Sequence, residues 1–227
     1  MEKLLRGVET FHREHRSDYQ ELFEGFKHGQ SPEALFITCS DSRINPNLIT
    51  DTQPGELFIL RNAGNLIPPH GAARGGEGAT IEYAVVALGI KDIIVCGHSF
   101  CGAMGALLRP ENLVGMDILA DWLKNAEATR QIIHQNYSDL EGDSLLMATV
   151  EENVLVQLDH LRTHPSVAAR LARCDLRLHG WVYEIATGDV FVYEEGKGQF
   201  VPIHEASLPP LVPRRRAPAS IPSRSSG

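Results

Sequence analysis

Two short clusters carry residue types that bind metals and move protons. Thr38-Cys39-Ser40-Asp41-Ser42-Arg43 places a thiol, a carboxylate and a guanidinium close together, and His98-Ser99-Phe100-Cys101 adds an imidazole and a second thiol. Two thiolates and one imidazole are three good ligands for Zn²⁺, whose tetrahedral preference leaves a fourth position for water or substrate. That count suits a reacting site better than a closed structural one. Cys101 stands just before a helix expected from about Gly102, where free backbone N–H groups and the helix dipole favour the thiolate. Against this, a lone H-x-x-C spacing is weak, and buried cysteines are ordinary core residues. Cys96 shares a strand face with His98 and competes with Cys101 as a ligand; we assign it to the core. Cys174, in ARCDLR, has no evident partner and reads as an incidental thiol. Asp41 and Arg43 allow three readings. Unpaired, Asp41 could bind the metal itself; held by Arg43, it could accept a hydrogen bond from water at the open position; or the two form a surface pair of little energetic weight. Spacing does not choose among them.

The elements that must position these clusters are legible from periodicity. Ala34 to Thr38, Glu56 to Leu60 and Asp92 to Cys96 are short, nearly continuous apolar runs, the pattern of strands buried on both faces of a parallel sheet. Both candidate clusters follow such runs, and ligands gather outside the carboxyl ends of strands in open parallel sheets, so distant segments can meet there. Gly76 to Gly89 reads as a crossover helix, making Glu56 to Cys96 a βαβ unit. Met116 to His134, Ser144 to Leu161 and Pro165 to Arg173 read as further helices, the last with proline near its start. Leu176 to Glu184 and Val190 to Tyr193, around the turn ATGD, read as a strand pair closing the sheet. From Lys3 to Lys27 apolar residues recur at helical spacing, giving an N-terminal helical arm. The fold class is therefore α/β, a mostly parallel central sheet flanked by helices.

The chain has 227 residues, a length that buries one substantial core, and residues 1–202 read as a single domain. Residues 203–227, rich in proline, arginine and serine, read as a disordered tail. A formal net charge of −8 gives no attraction to polyanions, which argues against nucleic acid as a partner. No apolar stretch reaches the roughly 20 residues of a bilayer span, and the N-terminus lacks an apolar signal core. The expected location is the cytoplasm, where the four cysteines remain thiols or metal ligands.

Taken together, Cys39-Ser-Asp-Ser-Arg43, the stretch Pro54-Gly-Glu-Leu-Phe-Ile-Leu-Arg-Asn-Ala-Gly-Asn65, Glu82-Tyr83-Ala84 and His98-x-x-Cys101-Gly102 resemble the β-class carbonic anhydrases. The likeness runs from about Lys3 to Pro202 and is closest to the plant-like subtype. It implies one Zn²⁺ per chain on Cys39, His98 and Cys101, an Asp41–Arg43 dyad that orients the nucleophile, and reversible hydration of carbon dioxide to bicarbonate by zinc-bound hydroxide. It also implies a substrate pocket of Gln30, Phe58, Ala63, Tyr83 and the Gly102 backbone, with Ala63 standing where some relatives have valine. A second subtype uses a tryptophan, an arginine and a tyrosine for an inhibitory bicarbonate site. Those positions fall at Phe36, Arg61 and Tyr183, and the missing tryptophan argues against that site here. The family further implies a homodimer or higher dimer-based assembly, with the N-terminal helix reaching over the partner. Carboxysomal relatives make a carboxysome scaffold an alternative partner and the carboxysome an alternative location. Two competing functions are a closed zinc scaffold, in which Asp41 fills the fourth position and Arg214-Arg215-Arg216 dock an acidic partner, and hydrolysis of carbonyl sulfide or carbon disulfide.

Overall fold

The computed structural model describes residues 1–72 and 75–206. Six strands form one sheet in the order β2-β1-β3-β4-β5-β6: β1 (Ala34–Cys39), β2 (Leu57–Asn62), β3 (Asp92–His98), β4 (Arg177–Tyr183), β5 (Val190–Glu194) and β6 (Gln199–Pro202). The first four are parallel, and β5 and β6 return antiparallel. β1 lies between β2 and β3, so the expected βαβ unit crosses over a strand rather than joining two neighbours. Every residue of β1 is buried, as its unbroken apolar run requires.

Nine α-helical segments accompany the sheet among the described residues: α1 (Glu2–Thr10), α2 (Gln20–Phe26), α3 (Pro46–Thr50), α4 (Gly76–Glu82), α5 (Gly102–Leu108), α6 (Asp117–Leu123), α7 (Glu127–Asn136), α8 (Gly142–Thr163) and α9 (Pro165–Ala172). Alternate strand residues Leu35, Ile37, Ile93, Val95 and Val182 join Val150, Val154, Leu158 and Leu161 of α8 in the main core. Burying each such aliphatic side chain is worth about 1.5–3 kcal/mol relative to exposure. α8 seats directly on β3 because Gly97 has no side chain there; a Cβ would lie 2.8 Å from Val150 Cγ1. The opposite sheet face carries a smaller cluster of Ala34, Phe36, Ile44, Ile94 and Cys96.

The structure departs from the periodicity in three places. The expected continuous helix over Lys3–Lys27 is interrupted at residues 11–19 by one widened and one tightened turn. This change of helical register stacks Phe11, Tyr19 and Phe23 with ring centroids 5.9–6.3 Å apart, an aromatic gain that a uniform helix would forgo. The helix expected over Gly76–Gly89 widens at Tyr83–Ala87. Lastly, β6 extends the expected strand pair to a third strand; its four residues were too short to show alternation. Ile203–Glu205 form one further turn, and residues 207–227, including Arg214-Arg215-Arg216, lie outside the described residues.

Candidate metal centre

Cys39 closes β1, His98 closes β3 and Cys101 is the residue before α5, so all three sit at the carboxyl edge of the sheet. Their ligating atoms lie within 4.8 Å of one another, and each residue is buried. His98 Nδ1 is 2.8 Å from the Ser99 carbonyl, which can only accept, so the ring carries its proton on Nδ1 and turns the Nε2 lone pair toward the sulfurs. Nε2 is buried and without a hydrogen-bond partner, a costly state for an imidazole nitrogen unless a cation takes it. The Cys101 thiol facing Cys39 lowers the Cys39 pKa, while the same contact and burial raise that of Cys101. A divalent cation held by Cys39 and Cys101 would take the place of the proton the two sulfurs share. Burial works against a charged His98, but its contacts with Cys39 and the Ser99 carbonyl outweigh it and raise its pKa. Donor set and geometry therefore fit Zn²⁺ with one open position. Cys96 faces the smaller core cluster and is pushed up by burial, so it behaves as a core thiol.

Asp41 and Arg43 form a fork: Arg43 Nε donates to Asp41 Oδ1 (3.0 Å) and Nη2 to Oδ2 (2.7 Å), and the Arg43 amide also donates to Oδ1 (2.9 Å). These bonds hold the carboxyl well below the usual carboxylate range. Asp41 Oδ2 lies 3.9 Å from His98 Nε2, at the mouth of the cluster. Arg43 Nη2 also donates to the carbonyl of Phe100 (3.1 Å), which holds a left-handed φ of 55° between the two ligand candidates. That conformation is strained for a phenylalanine, and the Arg43 bond secures it. Ser99 supports the same turn, donating to Glu184 (2.7 Å) and accepting from the Ile185 amide (2.9 Å). Arg61 donates to the carbonyls of Cys39, Asp41 and Ile44, and Phe36 packs edge-on against Trp181. Both are committed to structure.

The five expected pocket residues divide between two ends of the sheet. Ala63 follows β2 and Gly102 opens α5, both beside the cluster. Gln30 precedes β1 in an exposed loop, and Phe58 is the second residue of β2. Phe58 packs on Tyr83 with centroids 6.0 Å apart, and Tyr83 is 50% exposed. At about 3.3 Å of rise per residue, β1 sets its first residue, Ala34, about 16 Å from Cys39, and Gln30 precedes that end of the strand. Sequence reasoning missed Gly64, whose N–H donates to Cys39 Sγ (3.4 Å), and missed the grip of Ser99 and Glu184 on the turn. For Gly64 a signal existed in Asn-Ala-Gly-Asn, a turn-forming run directly after a buried strand.

A buried Cys₂His set beside a locked carboxylate, at the carboxyl edge of a parallel sheet, defines an enzyme that activates water on a metal. Residues 34–190 match the family model described as carbonic anhydrase. A carbonic anhydrase of Synechocystis is 52% identical over 202 residues, 88% of this chain and 74% of that protein. One of Pseudomonas aeruginosa is 44% identical over 207 residues, 90% of this chain and 93% of that protein. The solved β-carbonic anhydrase CcaA superposes with a TM-score of 0.87 at 52% identity, covering 89% of this chain and 98% of that one. The chain belongs to the carbonic anhydrase family, in its β class. Zinc-dependent, reversible hydration of carbon dioxide is the function of that family, and neither the scaffold nor the carbonyl sulfide reading is favoured.

Proposed function

We propose that Cys39, His98 and Cys101 hold the zinc, that Asp41 and Arg43 orient the nucleophile, and that the substrate pocket is completed by a second copy of the chain. The observation that carries this reading is the unpartnered His98 Nε2 facing two sulfurs, with the Asp41 carboxylate 3.9 Å away. Bound there, Zn²⁺ supplies Lewis-acid activation that draws the pKa of water toward neutrality. Asp41, kept ionised and bidentate on Arg43, offers acceptor atoms only. It therefore takes a hydrogen bond from the attacking oxygen and points that oxygen's lone pair at the carbon of carbon dioxide. Attack forms the new C–O bond while one C=O π pair moves onto a carbon dioxide oxygen, giving bicarbonate; the proton lost when water becomes hydroxide passes to solvent.

Carbon dioxide is apolar and needs an apolar slot with a few oriented donors. Ala63 and Gly102 supply one wall beside the cluster, while Gln30, Phe58 and Tyr83 stand exposed or half-exposed at the far end, out of reach of the same chain's cluster. A two-fold dimer sets the amino-end residues of one copy against the carboxyl edge of the other. The N-terminal arm supports this: no residue of α1 or α2 is buried, and Leu4, Leu5 and Val8 are 60–68% exposed. Such a bare apolar stripe fits a surface that a partner covers. Within the described residues no helix is long and apolar enough to cross a membrane. Cys39 and Cys101 lie close enough to oxidise together, so a reducing cytoplasm suits their work as ligands. Stopped-flow hydration of carbon dioxide with zinc content determined on the same sample tests the reading. We expect about one zinc per chain and a rate rising toward alkaline pH, since two thiolates keep the activated water's pKa higher than three imidazoles would. Full zinc occupancy without turnover would contradict it.

A further inference from the structure

Behind the cluster a buried polar chain runs from α8 to the Cys39 sulfur. The Gly64 N–H donates to Cys39 Sγ (3.4 Å), and Asn153 Nδ2 donates to the Gly64 carbonyl (3.1 Å). Gln157 Nε2 and the Thr129 hydroxyl donate to Asn153 Oδ1 at 3.0 and 3.3 Å, and Gln157 Oε1 accepts from the Ile67 amide at 2.7 Å. Asn153, Gln157 and Thr129 are each at most 1% exposed. Polar side chains at such depth are tolerated only when paired, and these pair the Gly64 carbonyl and the Ile67 amide, which an apolar residue would leave unmet. What they grip is a short left-handed stretch, Gly64 at φ 80° and Asn65 at φ 48°. A side chain at Gly64 would be strained at this φ, and its Cβ would lie 3.1 Å from both Ala103 Cβ and Met104 Cε. The backbone of one residue is thus held from two sides, its N–H on the sulfur and its carbonyl on Asn153.

We propose that Asn153, fixed by Gln157 and Thr129, is a positioning residue that acts through Gly64 to keep an N–H on the Cys39 sulfur and so sets the charge this ligand donates to the metal. The inference rests on Cys39 serving as a ligand. A hydrogen bond to a thiolate withdraws electron density from it; without that bond the sulfur donates more strongly, and the metal polarises water less. A residue that merely filled the core would change stability and leave the sulfur unaltered.

The test uses full-length protein loaded with Co²⁺ in place of zinc, whose near-ultraviolet thiolate-to-metal band reports on the sulfur, together with the rate of zinc release into a chelator. Asn153→Asp keeps the shape but sets an oxygen against the Gly64 carbonyl. Thr129→Val removes one anchor of Asn153. Thr149→Val is the control: this buried hydroxyl, one turn before Asn153 on the same helix, bonds the Leu145 carbonyl and takes no part in the chain of bonds to Gly64. We expect Asn153→Asp to shift the band as the sulfur donates more strongly, and to speed zinc release about tenfold because Cys39 is no longer held in place, a loss that outweighs the stronger donation. Thr129→Val should move both in the same direction by less, and Thr149→Val should match the wild type. Should Asn153→Asp fail to fold, Thr129→Val carries the measurement. Band and release indistinguishable from the Thr149→Val control would overturn the positioning role while leaving the metal centre intact. A wild-type protein without any thiolate band would overturn the metal reading, and this inference with it.

Discussion

The two ends of the sheet are built on opposite plans. At the carboxyl edge, His98 and Cys101 are at most 1% exposed, Asp41 is clamped by Arg43, and the turn between the ligand candidates is tied down by Arg43, Ser99 and Glu184. At the amino edge, Gln30 is exposed, Phe58 and Tyr83 show a half-open aromatic pair, and Leu4, Leu5 and Val8 of α1 are 60–68% exposed. A reacting centre needs its groups fixed before substrate arrives, and burial with complete hydrogen bonding provides that. A surface that waits for a partner keeps its apolar groups outside. The contrast is what the proposed division predicts: one chain fixes the metal-ligand cluster at one edge and leaves the remaining pocket candidates exposed or half-exposed at the other.

The largest expected effect falls on the carboxyl edge. Cys101→Ser should abolish zinc binding and lower turnover by about a thousandfold or more. Cys96→Ser, one strand face away, should keep about one zinc per chain; metal analysis of the two proteins side by side checks the difference. If Cys96→Ser lost the metal and Cys101→Ser kept it, the ligand assignment would be wrong. Next, Asp41→Asn should retain zinc and slow kcat by about a hundredfold, the usual scale of a lost proton-accepting contact. Unchanged kinetics would reduce the fork to a surface ion pair.

A smaller effect sharpens the contrast from the amino edge, where Asp92 opens β3 and holds both Arg177 (2.7 Å) and His179 (2.8 Å). Burial opposes its ionisation, yet those two bonds draw its pKa from 3.8 to about 2. A folded pKa below the unfolded one means stability that is present above about pH 4 and lost as pH falls toward 2. The loss should be about 1–2 kcal/mol. Urea unfolding from pH 5 down to pH 2.5, with wild type against Asp92→Asn, should show that slope in the wild type and a shallower one in the variant. Equal slopes would remove the role assigned to Asp92.

Much of this was legible in the residues themselves. β1 and β3 announced themselves as apolar runs, and their ends as ligand positions, because parallel strands buried on both faces leave little else to vary. Between Cys96 and Cys101 the sequence left a competition, since Cys96 shares a strand face with His98; the structure sets Cys96 in the small core and brings Cys101, just before a helix, to Cys39 and His98. The state of Asp41 was not legible, since spacing leaves a surface pair and a locked fork equivalent until the Phe100 turn is in place. Asn153 and Gln157 are one helical turn apart among Val150, Val154 and Leu161, a polar pair on an apolar face. Their partner, the Gly64 stretch, lies far away in sequence, so periodicity alone could not say what they hold. The separation of the five expected pocket residues between the two ends of the sheet was hidden for a similar reason. Motif order places Gln30, Phe58 and Tyr83 near the ligands in the chain, whereas strand direction places them at the other end of the sheet.

The division of the site between two copies is tested most directly by mixing two disabled chains. One carries Cys101→Ser with its amino edge intact; the other carries Phe58→Ala and Tyr83→Ala with its metal ligands intact. Refolded together in equal amounts, half the dimers are mixed, and each mixed dimer holds one site built of undamaged halves, so about a quarter of wild-type hydration activity should return. A mixture no more active than the average of the two parents would contradict the account.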